Sequence, residues 1–472
     1  MQVTRSRPPV GLAMLLIAGV AARVFLMLAY RPAALSNPDS ARFLYYGHDA
    51  ERFFHDSFGP VGYEAFLRAL RLVTTRLEAT IALQHLLGTV AALFVYAALR
   101  RADAPRWAAL VPAGVLLLSG DQLYIEHALL SEPPFIALVA AGLYAAVRAI
   151  TAPRAQRPAW LAVAGATLAA SATFRNVGLV LVPALVVWAL FALPAPWRGR
   201  LIGAAAGAGA ALLVMLLYLG AAHAAKGHTG WTSVSGWSIY GRAAPFADCR
   251  KFTPPRGTRR LCQRTPPARR PGSLFYQWYR GSPARALFGG PPSNDALLGT
   301  FGKRAILAQP GAYVDQVTAE LPRFVDVDAY PRRFSGGGPF LISRRDEGTE
   351  RAVLADVRHD YSAAPLQVDE GVKRIAEWQT TQRLGGLVPG AFVVLMILGP
   401  LLARGPARRA ALLFGLAGTV LVLMPAMTLT LIVRYTIPAM PFVAAAAGLG
   451  AAATLDAVRG WVRAGRRARA PS

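Results

Sequence analysis

Apolar residues in this chain run in blocks of about twenty, the length a helix needs to cross a hydrocarbon core of roughly 30 Å. The first block, Gly11 to Tyr30, follows Arg5 and Arg7 and reaches Arg31 without a small-residue cleavage site. It predicts a retained span rather than a secretory signal. Between the blocks stand clusters rich in Arg and poor in acid: Arg5/Arg7, Arg100/Arg101/Arg106, Arg148/Arg154/Arg157, Arg198/Arg200, Arg404/Arg408/Arg409 and the tail Arg459 to Arg469. Basic loops stay in the cytoplasm, so successive clusters are joined by an even number of crossings, which predicts five hairpins and about ten spans with both termini cytoplasmic.

The run from Trp160 to Leu193 is too long for one crossing and is bounded by basic clusters at both ends, so it turns back, at Phe174-Arg175-Asn176. By the same logic the chain reverses through Gly120 to Glu132 and again within Pro425 to Arg434. The other two hairpins carry large outer loops, Arg31 to about Thr80 and His223 to about Leu384. In the first, Ala41 to Phe54 and Tyr63 to Val73 space aromatic and aliphatic residues at helical intervals with charges between them, which predicts helices lying in the interface. The second holds no apolar run long enough to cross. It reads as a small folded unit stapled by cysteines or as an irregular cap, with Ser335-Gly336-Gly337-Gly338 as its least restricted backbone. The expected organisation is a membrane domain over 1–222 with about seven spans, an outer region over 223–384, a C-terminal membrane segment over 385–456 and a basic tail over 457–472. No internal repeat is visible.

Composition changes the picture in two respects. The chain is 54% hydrophobic, and its net charge of +26 is largely spread over short loops between apolar runs, so membrane topology accounts for much of it without a nucleic-acid partner. The two cysteines, Cys249 and Cys262, both fall in the large outer loop, where a disulfide would add about 3 kcal/mol by chain entropy. Without a nearby His they fall short of four zinc ligands.

Parity places most unusual polar residues on the outer face: Asp39, His48, Asp49 and Glu51 in the first loop, Glu126, His127 and Glu132 in the second, Arg175 in the third turn and Arg434 in the last. In order along the chain come Arg23 within the first span, Asn37-Pro38-Asp39-Ser40-Ala41-Arg42, Gly59-Pro60-Val61-Gly62-Tyr63, Leu130-Ser131-Glu132-Pro133-Pro134, Arg175, and Arg434-Tyr435-Thr436-Ile437-Pro438. This order resembles the GT-C superfamily of polyprenyl-phosphate-dependent glycosyltransferases, which includes the protein mannosyltransferases and aminoarabinose transferases. The resemblance covers about Met1 to Leu193 and the last span. The long loop is similar only through Trp237 to Cys249 and Asn294 to Phe324.

The resemblance implies an all-α polytopic GT-C fold in the plasma membrane, a polyprenyl-phosphate-linked sugar donor, and a protein, glycan or lipid acceptor outside the cytoplasm. It implies that Asp39 is the catalytic base. Many members carry a second acid directly after it, where this chain has Ser40, which puts a metal or two-acid role there in doubt. Arg175 and Arg434 are expected at the leaving phosphate, with Glu126, Glu132 and Tyr435 as further substrate contacts. Each residue also has a plainer reading. Asp39 could cap a helix starting at Ser40, and the two arginines could snorkel to headgroups. Glu132 could complement a helix dipole ahead of Pro133-Pro134, and Arg23, inside a span, implies a partner.

A divalent cation stays open through His48, His55, His127 and neighbouring carboxylates, although no spacing among them is diagnostic. The aromatic groups Trp231/Trp237/Tyr240 and Phe275/Tyr276/Trp278/Tyr279 suit either sugar stacking or a loop core. A lipid-linked sugar transporter would instead place charges at the midplane and show repeats, and a catalytically silent relative would act as an assembly subunit.

Overall fold

The computed structural model describes residues 10–48, 55–56, 58–226, 231–325, 342, 347–382 and 386–468. Asp49, Glu51 and the Ser335–Gly338 stretch lie outside them. Beside a two-stranded ribbon, short 3-10 turns and two isolated bridges, the ordered elements are helices.

The membrane part begins with α1 (Val10–Ala29), which runs into strand β1 (Tyr30–Arg31). Two short helices follow, α2 (Pro38–Gly47) and α3 (Gly62–Arg71), and then α4 (Leu77–Arg101). Next come α5 (Arg106–Leu118) and α6 (Gly120–His127), bent by 45° at Ser119. The bundle continues through α7 (Glu132–Thr151), α8 (Arg157–Ala172), α9 (Leu181–Ala192) and α10 (Trp197–Lys226). Six helices in the described chain are long and apolar enough to cross a membrane: α1, α4, α7, α10 and two near the C-terminus. The bent pair α5/α6 makes a seventh. Ten is reached only by adding three shorter helices of 16, 12 and 16 residues: α8, α9 and one later helix. The protein is a multi-pass, all-α membrane protein.

The long stretch over 223–384, expected from the sequence to be the outer region, does not pack as one body. Helices α11 (Ser235–Ala243), α12 (Ser273–Trp278), α13 (Pro283–Phe288), α14 (Asp295–Ala308) and α15 (Pro310–Thr318) gather around buried Trp237, Tyr240, Tyr276 and Phe301. Cys249 and Cys262 form a disulfide within this unit. By contrast, α16 (Glu347–Val357), strand β2 (Gln367–Val368) and α17 (Gly371–Thr381) pack on the first loop, sharing a core with Leu35, Phe43, Tyr63 and Leu130. β2 pairs antiparallel with β1. The chain ends with α18 (Leu387–Leu402), α19 (Gly405–Thr428), the single turn α20 (Val433–Thr436) and α21 (Met440–Ala468).

The first-loop helices overlap the expected ones: α3 keeps within two residues of Tyr63–Val73, while α2 starts three residues before Ala41 and ends at Gly47, the expected continuation over 49–54 lying outside the described residues. Asn37 is the N-cap of α2: its side chain accepts the backbone N–H of Asp39 at 3.0 Å, and Pro38 supplies a preset φ at the first turn. Asp39 therefore is not the cap of a helix starting at Ser40, and its carboxylate is free to point elsewhere. Gly62 opens α3, where its N–H donates to the Thr173 carbonyl at 2.7 Å. A Cβ there would lie 2.4 Å from that oxygen, so the backbones of the first loop and the α8 end approach as only glycine permits.

Candidate active site

The first loop is strapped down before it reaches Asp39. Glu350 of α16 accepts the Tyr30 hydroxyl at 2.6 Å and the Leu35 N–H at 3.1 Å through one oxygen. The Ala34 N–H donates to the His127 carbonyl. Ser40, fully buried, donates to the Leu129 carbonyl at 3.1 Å. A second acid at position 40 would set a buried carboxylate against that carbonyl, which gives the Ser at this position a physical reason.

The residues at the hairpin turns then meet. Arg434, at the start of α20, donates from Nε to Glu132 Oε1 at 2.5 Å and from Nη2 to Oε2 at 3.3 Å. Its Nη1 reaches Asp39 Oδ2 at 2.6 Å and Asn37 Oδ1 at 3.2 Å. Arg175 lies 2.6 Å from Glu132 Oε1 and near the Ser131 hydroxyl, with its guanidinium 5.6 Å from the centre of the Tyr435 ring. Arg42, one turn along α2, pairs with Asp39 at 3.2 Å and with Asp56. Three guanidinium groups thus surround Asp39 and Glu132. The Asp39 carboxyl is held far below the usual carboxylate range: burial opposes ionisation, but Arg434, Arg42 and Arg175 outweigh it. Arg434 is pushed up in turn, because Glu132 and Asp39 more than offset its own burial.

These groups line a cavity of about 1020 Å³. Its walls come from the start of α2, the turn around Arg175, the end of α19 with α20, and the outer unit through Trp231, Ser238, Gln277 and Trp278. Glu132 is sealed at 0% exposure while Asp39 keeps 35% of its side-chain surface accessible. One carboxylate is structural scaffolding for the arginines. The other faces the space.

Asp39, Arg175, Arg434 and Tyr435 all line the cavity, with Glu132 directly behind. Glu126 does not: it is fully buried on α6 and bound to Arg23 by two bonds of 2.8 Å, with His85 at 2.9 Å and Gln122 at 2.9 Å. The sequence placed it at a polar turn, but the turn continues as a helix that faces inward. The histidines do not converge on a metal shell either. His127 bonds the Tyr30 carbonyl and lies 3.3 Å from His85, whereas His48 sits 3.8 Å from Asp360. Among the described residues no three His, Cys, Asp or Glu side chains are placed to hold a metal ion. Of the aromatics, Trp231 and Trp278 reach the cavity, while Trp237, Tyr240 and Tyr276 are the core of the outer unit.

Sequence reasoning passed over Arg42 and Asp56. The signal was the Asp39 to Arg42 spacing of three, which puts both on one helix face. Asp56 has no comparable local signature.

Residues 79–226 match the family model described as dolichyl-phosphate-mannose-protein mannosyltransferase, which is less than half of the chain. Among curated proteins no sequence matches. Among solved structures, the S. cerevisiae protein O-mannosyltransferase Pmt1-Pmt2 complex bound to the sugar donor is 15% identical, with a TM-score of 0.39 over 56% of this chain and 38% of that one. The oligosaccharyltransferase AglB of Archaeoglobus fulgidus, in complex with an inhibitory peptide and a dolichol-phosphate, is 12% identical, with a TM-score of 0.46 over 98% and 52%. The apo form of the Archaeoglobus fulgidus enzyme is 14% identical, with a TM-score of 0.48 over 100% and 53%. The chain thus covers between 38% and 53% of the length of these three. Over residues 79–226 the chain is similar to the protein mannosyltransferase family, in line with the resemblance read from the sequence.

Proposed function

We propose that the protein is an inverting membrane glycosyltransferase that moves a sugar from a polyprenyl monophosphate to an acceptor on the extracytoplasmic side. The observation that carries this reading is a single cavity holding an accessible carboxylate, Asp39, beside two guanidinium groups, Arg175 and Arg434, that are anchored from behind by Glu132. Its volume of about 1020 Å³ is ample for a sugar phosphate and an acceptor end.

In the proposed reaction an acceptor hydroxyl forms a bond to the anomeric carbon on the face opposite the phosphate. Its proton passes to Asp39 as the bond from that carbon to the phosphate oxygen breaks. The departing phosphate keeps the electron pair, and its growing charge is met by Arg434 and Arg175, whose planar groups can bind two oxygens each. Glu132 fixes the arginines without competing for the proton, because it is sealed behind them while Asp39 faces the cavity. Trp231, stacked on Tyr218 with ring centroids 4.5 Å apart, and Trp278 offer flat apolar walls suited to a sugar face.

The test is transfer of labelled sugar from a polyprenyl monophosphate by the purified protein and its Asp39→Asn variant. Loss of transfer with retained donor binding supports the base assignment, and full activity in the variant rejects it. Translocation of the labelled lipid across proteoliposomes without transfer would reject the enzyme in favour of a transporter.

A further inference from the structure

Arg434 is the hinge of the site, yet it stands on a short connection between α19 and α21. Leu429 follows the end of α19 with φ −136° and ψ −86°, and Ile432 precedes α20 in extended conformation. The backbone between them needs an external partner. Glu320 supplies it from the outer unit, just after α15. One of its oxygens accepts the Leu431 N–H at 2.9 Å, and the other accepts the Thr430 hydroxyl at 3.0 Å. That second oxygen also accepts Arg242 of α11 at 2.7 Å, with Arg323 at 3.5 Å. Glu320 is 5% exposed and Arg242 is 0% exposed. Arg242 makes its ion pair with Glu320 through Nη1, while its Nε and Nη2 have no hydrogen-bond partner among the described residues. A buried cation served by one carboxylate makes that contact costly to break.

We propose that Glu320 is a positioning residue: it latches the outer helical unit to the Thr430-Leu431 backbone and so sets where Arg434, three residues on, meets its partners. The latch lies behind a cavity wall to which both sides contribute, Ser238 and Ile239 from α11 and Ile432 to Tyr435 from the connection. An occupant that shifts α11 therefore acts on Arg434 through Arg242 and Glu320. The outer unit becomes part of the phosphate site without touching the phosphate.

This inference rests on the proposed phosphate role of Arg434, and the experiment separates the two. The full chain in nanodiscs is titrated with a polyprenyl monophosphate as wild type, Glu320→Gln, Arg434→Gln and the double variant, with hydrogen exchange over 429–436 measured on the same samples. Glu320→Gln should weaken binding about tenfold, the scale of one hydrogen bond to a charged group. Because it acts through Arg434, it should add nothing to the loss in Arg434→Gln. Thr430→Val, which leaves the Glu320 pair with Arg242 intact, should show a smaller loss with the same non-additivity and guards against misfolding of the first variant. Unchanged binding in both single latch variants, or losses that add to that of Arg434→Gln, overturn the proposal. If wild type binds no polyprenyl monophosphate, the proposed donor is wrong and exchange alone decides: faster exchange from Leu431 to Tyr435 in the latch variants supports the latch, and unchanged exchange overturns it.

Discussion

Two of the buried arginine and carboxylate clusters in this molecule differ in one respect. In the first, Arg23 grips Glu126 through two bonds and donates its other hydrogens to the carbonyls of Gly19, Leu116 and Leu117. His85 and Gln122 complete Glu126, and a Cβ at Gly88 would stand 1.8 Å from a Glu126 oxygen, so even the facing helix is cut to fit. In the second, Arg434 and Arg175 hold Glu132 in the same manner, but the cluster ends in Asp39, over a third of which is accessible. Burial and ion pairing are common to both. What marks a site is the unfinished end.

The comparison can be broken from either side. Asp39→Asn should lower transfer by about 10²- to 10⁴-fold, the usual worth of a positioned base, with a smaller loss of thermal stability than the Arg23 variant below, because Asp39 is partly exposed. A large loss of stability instead would make the second cluster as structural as the first. Arg23→Leu should do the reverse, lowering stability by about 3–5 kcal/mol because Glu126 is left buried without its guanidinium partner. Unfolding in detergent measures this, and the surviving folded fraction should retain donor binding. A Cys249→Ser, Cys262→Ser pair should cost the outer unit about 3 kcal/mol by loop entropy, seen as increased proteolysis of that unit while the bundle holds. Protein reduced and then carbamidomethylated that resists protease as well as the disulfide form would reject that.

The smallest effect concerns Glu64 on α3, fully buried beside Asp56. Burial first, then Asp56, push its carboxyl well above the usual range, with Arg42 opposing. The folded protein thus keeps a proton that the unfolded chain releases above about pH 4.3, and stability falls as pH rises from there toward the folded value. Glu64→Gln removes that slope. Its melting temperature should match wild type near pH 4 and exceed it slightly at pH 8, and a lower value at pH 8 would show that Glu64 is needed as a carboxylate.

Much of the site was legible because topology sorts residues before any contact is known. Charge parity put Asp39, Glu132, Arg175 and Arg434 on one face, and the fold links these four in a row of ion pairs, Arg175 to Glu132 to Arg434 to Asp39. The same sorting failed for Glu126, because a polar residue near a turn reads alike whether its helix faces the cavity or the bundle interior. Its partner Arg23 was visible as a costly charge within a span, but pairing across 103 positions has no sequence signature. The Asn37 cap was missed for a local reason, since Asp39 fits the same preference two residues later. The division of the outer region between two cores, and with it the pairing of Arg242 with Glu320, rests on packing that apolar periodicity in short helices does not specify.

Arg434 has consequences for timing as well as for charge. It is shared between Glu132 and Asp39, and a phosphate in the cavity would draw on the same Nη1 that now holds Asp39. With Arg434 paired to it, the Asp39 carboxylate is a weak base. Arrival of the donor would swap Arg434's partner and return basicity to Asp39 at the moment an acceptor becomes useful. The acid limb of kcat/KM, which reports the free enzyme, should then fall at lower pH than the acid limb of kcat, which reports the donor complex. Coincident limbs would mean that Arg434 serves both partners at once. Separate limbs would make this one guanidinium the device that orders donor before acceptor.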